Sequence, residues 1–176
     1  MNFFQRFSGH IKTVATHRYY VFIHCVRAGI PWRGLVHDLS KFSPAEFIPG
    51  VKYYTGVRSP NEGEREANGH SLAWMHHKGR NRHHFEYWQD YNLKTRNVEP
   101  VKMPVKYVKE MFCDRVAASK TYHKNEYTDS EPLKYYNLKK NHRDIHPETA
   151  ALLSELLEML SEKGEKETFA FMRKLR

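Results

Sequence analysis

With 176 residues, of which 40% are hydrophobic and 28% charged, the chain has the size and balance of one folded domain, which excludes an intrinsically disordered protein. A formal net charge of +9 favours an anionic partner, unless it is only a solvated surface. No apolar run approaches the roughly 20 residues that span a bilayer, and the two cysteines form no CxxC pair. We therefore expect a cytoplasmic protein with free thiols and no membrane contact.

Proline, glycine and capping residues divide the first part of the chain into three predicted helices. The first runs from Asn2 to Ala28 and carries an apolar stripe at three- and four-residue steps, which comprises Phe3, Phe7, Ile11, Val14, Val21 and Cys25. Pro31 begins a second helix that extends to about Lys41. The segment Ser43–Glu46 has the pattern of a capping box and predicts a third.

The middle of the chain is predicted to alternate between loops and helices. Residues 56–69 (GVRSPNEGEREANG) are polar and glycine-rich, which indicates a loop long enough to cover a site. Helix is expected again over 71–77 and over 83–91, with Gly79 as a possible interruption. A second loop, 91–103, follows.

Three prolines begin the remaining predicted helices, at positions 104, 132 and 147. The last helix is expected to end at Gly164, with residues 165–176 as a C-terminal tail of at most a helical turn or two. No strand alternation and no repeat is evident. The sequence therefore predicts an all-α fold in a single domain over residues 1–176.

Histidine is the residue type that points to chemistry, because twelve are scattered along the chain, several at helical spacing. The central segment is HDLSK, in which Asp38 follows His37 and can bridge two cations or, alternatively, cap a turn. His17 is expected on the inward face of the first helix. Asp114 directly follows the apolar residues of a core helix, where a carboxylate is costly to bury unless it is paired or metal-bound.

This ordered set resembles the signature of the HD-domain superfamily of metal-dependent phosphohydrolases, with His, His-Asp and Asp on successive helices. The blocks HDLSKFSPAEF, AWxHHxxxNxHHxEYW and EMxxD are also similar to a bacterial and phage HD-like family. The resemblance implies an HD-type helical bundle and a metal held by His17, His37, Asp38 and Asp114. It further implies that Lys41 faces the reacting phosphate, as in the HDxxK form.

Purely structural interpretations of these ligands stay open. His17 could be a buried histidine bonded to a carbonyl group, in which case His24, seven residues later, is the reserve ligand. Asp114 could form a structural ion pair with Arg18 or Arg33. One metal site explains all the inward polar residues together, and we therefore prefer it.

A second histidine cluster lies within residues 76–84. On a continuous helix His77 and His84 share one face, whereas His76 and His83 point elsewhere. His77 and His84 are therefore predicted to hold a second ion, bridged by Asp38. The alternative is a polar helix at the mouth of a one-metal site. Histidine ligands favour Mn, Fe, Co, Ni or Zn over Mg, with one or two ions bound.

The predicted function is hydrolysis of a nucleotide or another small phosphorylated substrate by metal-activated water, with Lys41 and Asp38 as catalytic residues. Four cations close to the ligands in sequence are expected to bind the substrate: Arg18, Arg80, Arg115 and Lys120. Two alternatives remain, an HD-type di-iron oxygenase and a non-catalytic basic helical protein. Nucleic acid is a possible partner that the sequence does not favour.

Overall fold

The computed structural model describes residues 1–138 and 144–176. The helices of these ranges are α1 (Phe3–Arg27), α2 (Pro31–Val36), α3 (Pro44–Lys52), α4 (Pro60–Asn68), α5 (Leu72–Lys78), α6 (Val105–His123), α7 (Glu131–Leu138) and α8 (Pro147–Lys174). A two-stranded hairpin lies between α5 and α6, with β1 (Gln89–Asn92) antiparallel to β2 (Asn97–Pro100). The predicted all-α fold is confirmed.

The first helix has the predicted bounds, and its capping explains them. Asn2 accepts a hydrogen bond from the backbone of Gln5 at 2.9 Å, and the Gln5 side chain accepts one from the backbone of Asn2 at the same distance. At the other end Gly29 takes a φ of 78°, a conformation that glycine adopts without steric cost.

The hydrophobic core lies between α1, α6 and α8. Its fully buried side chains include Val21, Cys25, Phe112, Val116, Leu153, Leu156 and Leu160. Cys25 and Cys113 are both buried and free, as predicted. A Cβ at Gly34 would lie 2.7 Å from Cβ of Cys25, so glycine allows α2 to pack closely on α1.

The apolar stripe of α1 is buried over only part of its length. Val14, Val21 and Cys25 are buried, but Phe3, Phe7 and Ile11 are exposed. The first turns of α1 therefore do not face the core. These turns contact α3, through ring pairs such as Phe7 with Phe47, and lie outside the core cluster.

The segment 56–69 is not a loop, because most of it forms α4. Pro60 occupies the first turn of this helix and Gly69, with a φ of 76°, follows its end. Glu64 is the one buried residue of α4. A polar helix of this kind lacks the apolar periodicity by which helices are usually predicted, which explains the error.

The predicted helix over 83–91 is also wrong. A short 3-10 turn, Phe85–Tyr87, leads directly into β1, and the hairpin occupies most of the expected loop 91–103. Trp88, which links the turn to the strand, packs against the core.

Within the described ranges no helix combines the length and apolar character needed to cross a bilayer.

The C-terminal tail continues α8 and completes the core. Gly164 has φ 75° and ψ 176°, which interrupts the helix where the sequence predicted its end. Helical structure then resumes to Lys174, and it buries Phe169 and Met172. Burial of these two side chains stabilises the segment, which was expected to be a short tail.

Candidate metal centre

The His37–Asp38 pair lies on a turn and not on a helix. α2 ends at Val36, and Asp38 has φ 53° and ψ 28°, the left-handed conformation. A 3-10 turn, Leu39–Phe42, follows. The expected helix to Lys41 is therefore wrong, and the left-handed backbone directs the Asp38 side chain into the interior, where the residue is only 1% exposed.

The four residues of the predicted first site meet around one oxygen of Asp38. Its Oδ2 lies 3.3 Å from Nε2 of His37 and 4.0 Å from Nε2 of His17. Oδ1 of Asp114 lies 3.0 Å from the same atom of His17 and 3.6 Å from that of His37. These four residues form a group that could hold a metal ion.

A second group of residues that could hold a metal ion surrounds the other oxygen of Asp38. Its Oδ1 lies 3.4 Å from Nε2 of His77 and 3.5 Å from Nε2 of His83. The ring of His84 lies 4.8 Å from that of His77 and 4.1 Å from that of His83, between centroids. The prediction that His83 points elsewhere is wrong.

The position of His83 follows from the end of α5 at Lys78. The chain turns there, and Asn81 donates hydrogen bonds to Oγ of Ser40 at 2.7 Å and to the carbonyl of His77 at 2.9 Å. Further along, the indole of Trp88 donates to the carbonyl of Arg82 at 2.8 Å. This folded turn, unlike a continuous helix, directs consecutive histidines toward the same point.

Several buried polar atoms at this point lack a hydrogen-bond partner among the described residues. They are Nε2 of His17, His37, His83 and His84, Nδ1 of His83, and Oδ1 of Asp38. A buried polar atom without a partner costs about 1–3 kcal/mol, so a cluster of them needs an explanation. All six belong to residues of the two groups, and bound cations would satisfy every one except Nδ1 of His83, which lies 3.4 Å from Oε1 of Glu110. The residues present therefore fit a metal.

Glu110, which the sequence analysis missed, supports one ligand of each group. Its Oε1 lies 3.1 Å from Nδ1 of His37 and 3.4 Å from Nδ1 of His83, and its Oε2 accepts a hydrogen bond from Nε of Arg33 at 2.7 Å. Glu110 lies one helical turn before Asp114 on α6. That spacing of two carboxylates within an apolar helix was the available signal.

Glu46, also missed, supports the second group from α3. Its two oxygens each lie 2.7 Å from an Nδ1 atom, one from His76 and one from His77. Ser43 caps α3 without a side-chain hydrogen bond. The predicted capping box is therefore wrong, because Glu46 turns inward to the histidines.

The electrostatics favour the metal-binding protonation state for Asp38, His17 and His84, but not for His37. Burial raises the pKa of a carboxyl group, but for Asp38 the cations His37 and Lys41 outweigh it, and the net pKa is well below its usual value. Burial lowers the pKa of His17 and, together with neighbouring His83, that of His84. Ionised carboxylates and neutral imidazoles are the forms that bind metal.

The pKa values of His37 and Lys41 are raised, so a metal ion at His37 competes with a proton. Burial alone would lower both pKa values, but the carboxylates of Asp38 and Asp114 outweigh it and raise them. Nζ of Lys41 lies 2.7 Å from Oδ2 of Asp38, and its side chain is 30% exposed. Lys41 therefore connects the buried cluster with solvent, as a residue that faces a substrate must.

The four predicted substrate-binding cations have different surroundings. Arg18 donates to the carbonyl of Leu35 at 3.1 Å, and its guanidinium lies 5.3 Å from the ring centroid of Phe42, next to Lys41. Arg80 is exposed and donates to the carbonyl of His76 at 3.4 Å.

The other two cations contact groups on the C-terminal side of the chain. Arg115 lies over the ring of Tyr136, 5.6 Å from its centroid. Lys120 forms an ion pair with Glu165, as does Arg27. Arg18 thus packs on Phe42, the residue that follows Lys41 in the chain, whereas Lys120 belongs to a separate ion-pair cluster at the interruption of α8.

The nitrogen-rich ligand set determines which ions the centre suits. Imidazole ligands suit Mn, Fe, Co, Ni and Zn, whereas Mg prefers oxygen ligands. A carboxylate with one oxygen toward each ligand group is the arrangement that bridges two ions about 3.5–4 Å apart. Two ions held in this way would act as Lewis acids beside the partly exposed Lys41.

No curated protein and no solved structure matches the chain. A family model does match, over residues 6–159, which is most of the chain. This range contains every residue of the two ligand groups, together with Lys41, Glu46 and Glu110. The chain belongs to a family of unknown function, DUF5662.

Proposed function

We propose that the protein is an HD-type metal-dependent phosphohydrolase that holds two divalent transition-metal ions bridged by Asp38. The observation that carries this proposal is the division of the Asp38 carboxylate between two histidine groups. Its Oδ2 faces His17 and His37, and its Oδ1 faces His77 and His83. The order of the first ligands in the sequence resembles that of the HD superfamily, and the second group supports the two-metal form of the proposal.

Two divalent ions, when bound, lower the pKa of water and neutralise phosphoryl oxygens. The residues of this chain would then position the substrate. The Lys41 ammonium is partly exposed beside Asp38, and it can bind a phosphoryl oxygen that approaches from solvent. Arg18, held over the ring of Phe42, is a candidate for a second positive charge that binds the substrate. The substrate class that fits is a nucleotide or another small phosphate ester.

An oxidative function is the second candidate, because of the number of imidazoles. Five histidines surround the single bridging carboxylate. A nitrogen-rich pair of sites of this kind suits iron as well as manganese or zinc. Chemistry with dioxygen would therefore replace hydrolysis if the native ions are iron and the protein consumes oxygen with an organic substrate.

Metal analysis combined with a phosphatase screen tests the proposal. We expect about two transition-metal ions per chain after purification without chelator, and metal-dependent phosphate release from at least one nucleotide or sugar phosphate. Asp38→Ala should lose both the ions and the activity while its helical circular-dichroism spectrum remains. A protein that stays metal-free after incubation with Mn, Fe, Co, Ni and Zn would contradict the proposal. Oxygen consumption without phosphate release would favour the second candidate.

A further inference from the structure

Exposed apolar side chains cluster at the start of α1 and the adjacent face of α3. We call this cluster the aromatic patch, and it comprises Phe3, Phe4, Phe7, Phe47 and Ile48. Phe4 is 79% exposed, Phe3 64% and Ile48 63%. An exposed group of large apolar residues on a folded protein usually marks a surface that contacts a partner.

The side chains of the aromatic patch are held in place by a helix cap and by contacts between their rings. The capping box of Asn2 and Gln5 fixes the first turn of α1. Phe3 stacks on Phe7 with 6.0 Å between centroids, and Phe7 meets Phe47 edge-on at 5.7 Å. A shallow hollow of about 480 Å³ lies between the two helices, lined by Phe3, Phe7, Phe47, Ile48, Val51, Arg6 and Lys52.

Positive charge borders the aromatic patch. Arg6 and Lys52 line the apolar hollow and also a neighbouring one of about 530 Å³, which includes Arg58 and its ion-pair partner Glu66. Arg6 donates to the carbonyl of Lys52 at 2.9 Å, which holds the guanidinium at the boundary between the hollows.

The N-terminal part of the sequence, which contains the aromatic patch, has more basic than acidic residues. Residues 1–61 contain eight Lys or Arg residues and two acidic residues, Asp38 and Glu46. Both acidic residues are buried in the metal centre. Arg27, Arg33, Lys41 and Arg58 are paired with Glu165, Glu110, Asp38 and Glu66. The positive charge at the aromatic patch therefore comes from Arg6 and Lys52, and it complements an anionic partner that also accepts apolar side chains.

We propose that the aromatic patch, with Arg6 and Lys52, docks the protein peripherally onto an anionic phospholipid bilayer. Phenylalanine rings enter the boundary between headgroups and acyl chains, while neighbouring cations attract anionic headgroups. A twofold contact with a second copy would bring the same cations together, and like charges oppose that contact. This inference departs from the expectation of no membrane contact, and it does not depend on the proposed hydrolase function.

Sedimentation with lipid vesicles tests the proposal. The full chain is mixed with vesicles of phosphatidylcholine alone, or of phosphatidylcholine with phosphatidylglycerol, at low and high salt. We expect binding to the anionic vesicles about tenfold or more tighter than to the neutral ones, and weaker binding at high salt. The double variant Phe3→Ser, Phe4→Ser and the charge reversal Lys52→Glu should each weaken binding by about tenfold.

Leu93→Ser is the matched control, because Leu93 is 84% exposed in the turn of the hairpin, outside the aromatic patch. It should bind vesicles like the wild type. Circular dichroism and metal content of every variant should also match the wild type, since the changed side chains lie outside the core and the ligand groups.

Four results would overturn the proposal. The first is equal binding to neutral and anionic vesicles, and the second is unchanged binding of the double variant. The third is a concentration-dependent dimer in sedimentation velocity that the double variant dissociates, which would assign the aromatic patch to a second copy. A preference for a single-stranded oligonucleotide that the double variant abolishes, without vesicle binding, would likewise overturn it.

Discussion

Oε1 of Glu110 lies 3.1 Å from Nδ1 of His37, on the far side of the imidazole from Asp38. The same oxygen lies 3.4 Å from Nδ1 of His83, which belongs to the other ligand group. One buried carboxylate therefore lies beside an imidazole of each ligand group. A partner of this kind fixes which imidazole nitrogen is free to bind metal.

Glu110→Gln should weaken the binding of both ions, by about 10- to 100-fold each, because the amide cannot hold both imidazoles as the carboxylate does. Isothermal titration with Zn²⁺ measures the two affinities, and the absorption spectrum of the Co²⁺ form reports ligand geometry. Glu99→Gln, a change on the hairpin, is the control and should leave both unchanged. An effect confined to one of the two ions would show that Glu110 supports only one ligand group.

His83→Ala should reduce the metal content from about two ions per chain to about one, as should the double change His77→Ala, His84→Ala. Each change removes ligands that face the Asp38 oxygen of the second group, while the first group remains. Metal analysis after gel filtration gives the ratio. His70→Ala alters an exposed histidine and serves as the control. If the His83 variant keeps two ions, the second group does not bind metal through this residue.

Lys41→Ala should retain the metal but lose phosphate release, by about 100-fold or more in kcat, because the ammonium acts on the phosphoryl oxygens. The expected pattern is a lower kcat at unchanged metal content. Lys41→Arg should recover part of the activity, since it restores the positive charge. A Lys41→Ala protein with wild-type turnover would exclude this residue from the chemistry.

His24 should make the protein less stable in mild acid. Burial, followed by the nearby charge of Lys120, lowers its pKa from 6.5 to about 4. Between these values the unfolded chain binds the proton and the folded chain does not, so the free energy of unfolding falls as the pH falls from 6.5 toward 4. The loss is up to about 3 kcal/mol for this group.

Urea unfolding of wild type and His24→Gln at several pH values measures this contribution. Glutamine does not titrate, so the variant should show a weaker dependence on pH between 6.5 and 4. The comparison uses the difference between the two proteins, in which the titration of the metal ligands cancels. Equal pH dependence in both would place the acid sensitivity elsewhere in the molecule.

The long helices and the first ligand group could be predicted because they depend on local signals. Asn2, Gly29 and Pro147 mark helix ends in the sequence itself, and a carboxylate such as Asp114 is conspicuous in an apolar helix. The HD-type identity of the site stays a prediction.

The second ligand group could not be predicted in full, because it depends on contacts between distant segments. The turn after α5 is fixed by Asn81, which reaches Ser40, and by Trp88, which packs on the core. Neither contact has a local sequence signal. Helical spacing alone, without these two contacts, predicts the wrong direction for the His83 side chain.

The backbone at position 38 restricts which amino acid can stand there. A φ of 53° costs most residues about 1–2 kcal/mol, and glycine, asparagine and aspartate tolerate it best. Of these three, only aspartate carries a charge and two equivalent oxygens. Conformation and chemistry thus select the same residue independently, and no other standard amino acid meets both demands. Asp38→Asn would keep the turn and remove the charge, which separates the shape of the centre from its affinity for cations.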